Sequence, residues 1–416
     1  MLRVGIIGAG AIANLNVQGY MHSPDTELVA ICDVDLNNAQ EKVARWGLHT
    51  LKIYKNYKEM VDKENLDIVE ILTPHHLHGQ MTEYCAKMGV PGISVQKPMA
   101  HTIRDCEKML TVCKEQNVKL KIFENFRFYP VYLRAKELLD QGIIGELLNF
   151  RINTIATAGP GMPKTLKELL WRQNFKICGG GPWIYDDGYH KLSMALWLMN
   201  QERVEKVYCW IDYSSAIMDM PNIVFWKYPL KNPDDPPKFG SMQFTMAINL
   251  YFPSNYYEVD EFIEISGTKG IMWINQCTSG GNIYSRTPQF APIVVYVDGE
   301  VKTYGDDLPR DWRYSFINST VHFIKVMKEG GEPIYNGKQG KDLCIFGKMP
   351  YISQQDNRIV FWEEITAENE KNRSCVVKDP KAFDPRGLTK LYMKKKKDMR
   401  KGKKQGLEHY RLLFQL

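Results

Sequence analysis

The sequence predicts an α/β chain: a doubly wound parallel sheet first, then an α+β unit built on a large, mostly antiparallel sheet. Three observations carry this. Short apolar runs alternate with amphipathic helical stretches as far as residue 125, the pattern of a parallel sheet covered on both faces. The first run leads straight into a glycine-rich turn, Gly8-Ala9-Gly10-Ala11-Ile12-Ala13. After Tyr129 the runs pair across turn signals such as Thr268-Lys269-Gly270 and Asp298-Gly299, which reads as antiparallel pairing.

Taken in order, residues 3–7 are a strand, a helix runs to about residue 21, and residues 28–32 form the next strand with Asp33 at its end. This is a β-α-β unit carrying a GxGxxA turn and, about 20 residues on, an acid, which is the dinucleotide fingerprint. Gly8 permits the tight turn, Gly10 lets the backbone meet a pyrophosphate, and Ala11 and Ile12 open the helix whose N-terminal amides face it. Asp33 would accept from the adenosine ribose hydroxyls and repel a 2′-phosphate, so the expected cofactor is NAD rather than NADP. Strands follow at 67–72, 93–95 and 120–123, with helices at 38–46, 59–63, 81–88 and 105–115. Thr73, Pro74, His78, Lys97 and Asn125 fall at the carboxyl ends of these strands, where ligands of such sheets bind. His75, His76 and His78 fit no common zinc spacing, so no metal is expected.

Gly179 to His190, GGGPWIYDDGYH, is the chemical centre of the second half. Three glycines allow a tight turn and the close approach of a ligand. If a helix begins near Ile184, Asp186 and His190 lie one turn apart on one face. A carboxylate that orients an imidazole makes a general base near neutral pH. Two further segments look suited to substrate: residues 158–175 with Trp171 and Arg172, and residues 225–239 with Trp226 and Tyr228.

The chain of 416 residues is 44% hydrophobic and 25% charged, ordinary for a globular enzyme of two or three domains. Nine scattered cysteines with no CxxC pair read as reduced thiols of a cytoplasmic protein. No signal peptide and no membrane-length apolar run is visible. The net charge of +6 resides in a lysine-rich tail at 394–404, read as a solvated extension or an oligomer contact, with nucleic-acid binding as the competing reading.

GIIGAGAIA, ILTPHHLH, VQKPMA, ENFRFYP, Trp171-Arg172, Asp186-x-Gly188-x-His190 and ISGTKGIMWI together resemble the glucose–fructose oxidoreductase / inositol dehydrogenase / rhizopine-catabolism (Gfo/Idh/MocA) family, over residues 4 to about 364. The resemblance implies a Rossmann domain (residues 1–125) and a substrate-binding and oligomerisation domain (126–365); the basic extension (366–416) matches nothing in the family core. It implies hydride transfer between NAD and a secondary hydroxyl of a sugar or glycoside. C3 of a glucoside is the first choice and inositol or another polyol the alternative; a non-catalytic NAD-binding sensor is the reading from another class. The site residues implied are His190 as base with Asp186 orienting it and Lys97 as electrostatic partner, with Lys97 itself as the base in the alternative. Gly8, Gly10, Ala11, Ile12, Asp33, Thr73, Pro74, His78, Gln96, Lys97 and Asn125 are assigned to the cofactor; Arg127, Trp171, Arg172, Tyr185 and Trp226 are assigned to the substrate. Gln96 stands where the family usually has Glu, which takes a negative charge from beside Lys97 and should ease its deprotonation. Ser193 stands where an Asp is common. An exposed sheet face in the second domain should be covered in a homo-oligomer.

Overall fold

The computed structural model describes residues 1–158, 171–212, 219–251, 256, 259–275 and 291–372. Residues 159–170 of the first substrate segment and the lysine-rich tail lie outside the described residues.

The first sheet holds β1 (Leu2–Ile7), β2 (Thr26–Cys32), β3 (Lys52–Tyr54), β4 (Ile68–Ile71), β5 (Gly92–Gln96) and β6 (Lys119–Phe123), in the order β3-β2-β1-β4-β5-β6. All pairs are parallel. Strands buried on both faces need apolar side chains at nearly every position, and β4 is buried throughout. The helices between them are α1 (Ala13–Met21), α2 (Leu36–Trp46), α3 (Tyr57–Glu64), α4 (His75–Lys87) and α5 (Ile103–Glu115). Their starts follow capping chemistry: Asp35 caps α2, Asn56 caps α3 and Thr102 caps α5 through side-chain acceptance of a backbone N–H. Strand order reverses between β1 and β4, so a crevice opens at their carboxyl ends.

The second sheet contains β7 (Leu147–Ala158), β8 (Lys206–Ile211), β9 (Asn222–Lys227), β10 (Phe239–Tyr251), β11 (Val259–Gly267), β12 (Gly270–Ile274), β13 (Ile293–Val297), β14 (Glu300–Tyr304) and β15 (Val360–Phe361). Their order is β14-β13-β12-β11-β7-β10-β9-β8-β15. Every pairing is antiparallel except β7 with β10. Val207, Cys209 and Ile211 of β8 point inward while Trp210 is exposed, the alternation of a sheet covered on one face. The covering helices are α6 (Pro130–Asp140), α7 (Gly188–Leu198) and α9 (Gly337–Asp356), which contact β12, β10 and β8 respectively. Proline at the first position of α6 loses no hydrogen bond there.

Two expectations shift. Phe225 and Trp226, placed in a substrate segment by the sequence, belong to β9, a strand the periodicity misses. Late helices also return to the first sheet. α8 (Arg313–Glu329) packs on α1, where a Cβ on Gly19 would lie 2.4 Å from Thr320, and α9 packs on α5.

Candidate active site

The nucleotide crevice is formed at the end of β1. Gly8 has φ +107°, and a Cβ there would stand 2.7 Å from the Leu72 carbonyl oxygen, so only glycine lets β1 turn under the end of β4. Ile12, the N-cap residue of α1, makes no side-chain cap hydrogen bond, and the amides of a helix N-terminus suit an anionic ligand. Asp33 is fixed by the same loop: its Oδ2 accepts the Ala9 N–H at 2.8 Å and its Oδ1 the Asp35 N–H at 2.8 Å. These residues fit a dinucleotide whose pyrophosphate lies on the α1 amides and whose ribose reaches Asp33.

Asp186 and His190 do not pair, contrary to the expectation from their spacing. Residues Pro182–Asp187 wind as a π-helical turn and α7 starts only at Gly188, so the i, i+4 relation does not hold across the junction. Asp186 Oδ1 accepts from Lys97 Nζ at 2.8 Å, and its carbonyl oxygen accepts from the same ammonium at 2.8 Å. Asp186 Oδ2 accepts from Arg172 Nε at 2.8 Å. Burial by itself would raise this carboxyl; the Lys97 ammonium and the Arg172 guanidinium outweigh it and hold Asp186 well below the usual carboxylate range. The charge that Gln96 withholds from Lys97 is therefore supplied by Asp186.

The partner of His190 is Glu124, just beyond β6. His190 Nδ1 lies 2.8 and 3.0 Å from its two oxygens, and the Glu124 Oε1 also accepts the Phe126 N–H at 2.9 Å. The imidazole stacks on the Phe126 ring at 4.2 Å and an interplanar angle of 6°. Burial pushes His190 below its ordinary value, Glu124 opposes this, and Lys97 reinforces it. The neutral ring donates Nδ1–H to the carboxylate, and Nε2 has no hydrogen-bond partner among the described residues. Glu124 lies beside Asn125 at a strand end, and that position is the signal that finds it. His75 is a second residue beyond the sequence-assigned site. Its Nδ1 donates to the Cys178 carbonyl at 2.7 Å, its Nε2 stands 3.5 Å from Asp186 Oδ1, and Trp171 packs edge-on against it at 4.7 Å.

Several assigned residues make contacts within the protein. His78 is fully buried, with Nδ1 at the Pro98 and Met99 carbonyls and Nε2 at the Thr73 carbonyl, so it ties the loop after β4 to the loop after β5. Thr73 donates to Met81 Sδ, and Pro74 sits at the start of α4, which begins six residues earlier than expected. Asn125 donates to Ser315. Gln96 accepts the Lys97 N–H and donates to Asn16, which in turn donates to buried Glu70. Arg127 is buried, donates to Ser193 and lies over the Tyr335 ring at 4.5 Å. Tyr185 donates to the Ala100 carbonyl at 2.6 Å, and Trp226 packs on Phe150 and Phe346; both are core residues. Even the triple glycine is approached by protein, since a Cβ on Gly181 would lie 2.4 Å from the Asp219 carboxylate.

Residues 2–124 match the family model described as the oxidoreductase family with NAD-binding Rossmann fold, and residues 132–273 match the C-terminal domain model of the same family. The chain belongs to the Gfo/Idh/MocA oxidoreductase family. It is an NAD-dependent dehydrogenase with the two-sheet fold of that family. Over 382 residues it is 25% identical to the myo-inositol 2-dehydrogenase of Thermotoga maritima, covering 88% of this chain and 99% of that protein. It is 28% identical over 209 residues to the D-glucoside 3-dehydrogenase of Escherichia coli, covering 50% of this chain and 56% of that protein. The structure of a levoglucosan dehydrogenase in complex with NADH and levoglucosan superimposes with a TM-score of 0.70 at 20% identity, covering 86% of this chain and 99% of the other. Two departures from the family pattern acquire contacts: Gln96 lies on the chain to Glu70, and the Ser193 hydroxyl receives Arg127.

Proposed function

We propose that this Gfo/Idh/MocA member oxidises a secondary hydroxyl of a sugar or glycoside, C3 of a glucoside in first place, to the ketone. NAD, when bound, supplies the acceptor for the hydride leaving that carbon. The observation that carries the reading is the His190–Glu124 pair beside the Lys97–Asp186 pair. His190 Nε2 takes the hydroxyl proton, and the positive ring that results is stabilised by Glu124, already in contact at 2.8 Å. The Lys97 ammonium offers hydrogen bonds to the substrate oxygen as it gains alkoxide character. Asp186, itself bound by Arg172, holds that ammonium in place. The substrate's two electrons leave with the hydride and its proton leaves to His190, so the alcohol becomes a ketone.

Trp171 supports a ring-shaped substrate. It is partly exposed, its edge meets His75, and the Arg172 guanidinium covers it at 4.4 Å. Trp226 and Tyr228, being buried, lend no support to a large substrate. A polyol is the competing reading, favoured by the extent of the match to the inositol enzyme. Incubating the protein with NAD and a panel of methyl glucosides, disaccharides and myo-inositol, and following NADH absorbance, separates the two; no turnover on any alcohol would sink both. The outer face of the second sheet also supports a homo-oligomer. Tyr208, Trp210 and Phe225 form a contiguous aromatic patch there, with Trp210 54% exposed and Phe225 40%.

A further inference from the structure

Two buried charges that touch none of Lys97, Asp186 or His190 grip the backbone between Gly179 and Asp186. The first is Asp219, fully buried in the connection from β8 to β9. Its Oδ1 accepts the Trp183 N–H at 2.9 Å, and its Oδ2 accepts the Ile184 N–H at 2.8 Å and the Tyr351 hydroxyl at 2.6 Å. Tyr351 in turn accepts the Gly181 N–H at 2.7 Å. The second is Lys348 on α9, also buried. Its ammonium donates to the Gly179 carbonyl at 3.0 Å and the His101 carbonyl at 2.8 Å, and it pairs with Glu370 at 2.7 Å.

The arrangement matches charge to dipole: a carboxylate on amides, an ammonium on carbonyls. Asp219 has no cationic partner among the described residues, and an unpaired buried carboxylate costs several kcal/mol unless hydrogen bonds replace its water. Here the donors are the first amides of the π-helical turn, which no intrahelical acceptor would satisfy. Pro182 contributes none. The π winding is uncommon and mostly confined to single turns; here the Asp186 N–H reaches back to the Gly181 carbonyl at 3.2 Å. This winding decides where Asp186 sits, and both the carboxylate and the carbonyl of Asp186 are bonded to Lys97.

We propose that Asp219 and Lys348 are positioning residues, which fix the π-helical turn and through it the Asp186–Lys97 contact. The proposal rests on the dehydrogenase reading above. Neither residue touches the reacting atoms; each acts through the backbone that carries Asp186. Displacing a catalytic group by about 1 Å costs on the order of 10²-fold in rate.

The test uses the full chain and whichever alcohol the wild type oxidises. Asp219→Asn puts an amide donor against N–H groups and should lower kcat roughly 10²-fold, while the NADH dissociation constant stays within about threefold. Tyr351→Phe removes one hydroxyl, is the mildest of the set, and should lower kcat by about three- to tenfold. Lys348→Met should lower kcat without raising the KM for NAD. In an Asp186→Asn background, Asp219→Asn should cost little more, because the two act along one path. Losses that add fully in the double variant, a kcat within twofold of wild type in all three single variants, or a parallel loss of NADH binding would each overturn the proposal. A wild type without turnover defeats the dehydrogenase reading instead, so the two failures are distinguishable.

Discussion

His190 and Glu124, 66 positions apart in the chain, meet at 2.8 Å, while Asp186, only four residues before His190, turns away to Lys97. The site is thereby divided into two hydrogen-bonded units, one that accepts a proton and one that presents a positive charge. Each unit draws one member from the parallel sheet and one from the Gly179–His190 stretch.

Glu124→Gln keeps the size and one hydrogen bond but removes the charge opposing the burial of His190. The imidazole should then lose its proton more readily, so the acid limb of the kcat/KM profile should move to lower pH. The imidazolium formed in the reaction also loses its stabiliser, so kcat should fall by about 10- to 100-fold. A profile whose acid limb moves upward would contradict the pairing.

His190→Ala should lower kcat by roughly 10²-fold or more, with NADH affinity nearly unchanged. Lys97→Ala should do similar damage, and the double variant should be little worse than either. Near-native turnover of the His190 variant between pH 6 and 9 would transfer the base role to Lys97.

Asp33, held by the Ala9 and Asp35 amides, should exclude a 2′-phosphate. Replacing Asp33 with Ser and Val34 with Arg should narrow the preference for NADH over NADPH in calorimetry. Tighter binding of NADPH than of NADH by the unaltered protein would refute this account of Asp33.

His78 carries an acid-stability prediction. Burial pushes it from 6.5 to about 3, against opposing carbonyl contacts. The folded state therefore binds fewer protons than the unfolded one below pH 6.5. Its contribution is complete above that pH and is lost as pH falls toward 3, at about 1.4 kcal/mol per pH unit. His78→Asn should shrink the stability difference between pH 7.5 and pH 5 by about 2 kcal/mol, measured by urea titration at both values. An unchanged difference would show that other groups set the acid limb.

The aromatic patch of β8 and β9 should be covered by a second copy. Sedimentation at micromolar concentration should give a species larger than the 48.1 kDa chain, and Trp210→Glu combined with Phe225→Glu should shift it to the monomer. A wild type that sediments only as the monomer would remove the assembly proposal.

The amino-acid order by itself determined the first sheet, the glycine turn and Asp33, because a β-α-β unit is a local device: strand, turn, helix N-terminus and acid lie within about 30 residues. It also placed Lys97 at a strand end and Asp186 and His190 about a Gly-rich helix start, since both features are readable from short stretches. Only the tertiary structure decided who pairs with whom. The spacing of Asp186 and His190 suggests a helical pair, but Asp186 lies in a π-helical turn that ends at Asp187, before α7 starts, and Glu124 arrives at His190 from the end of β6. Tyr185, Trp226 and Arg127 read as ligand-facing because aromatic and cationic side chains suit a sugar. Their burial depends on the sheet register and on helices α7 and α9, which pack across distances in the chain that no local pattern encodes. A side chain's partner is set by which surfaces close over it, and that is decided when the two sheets and the returning helices pack together.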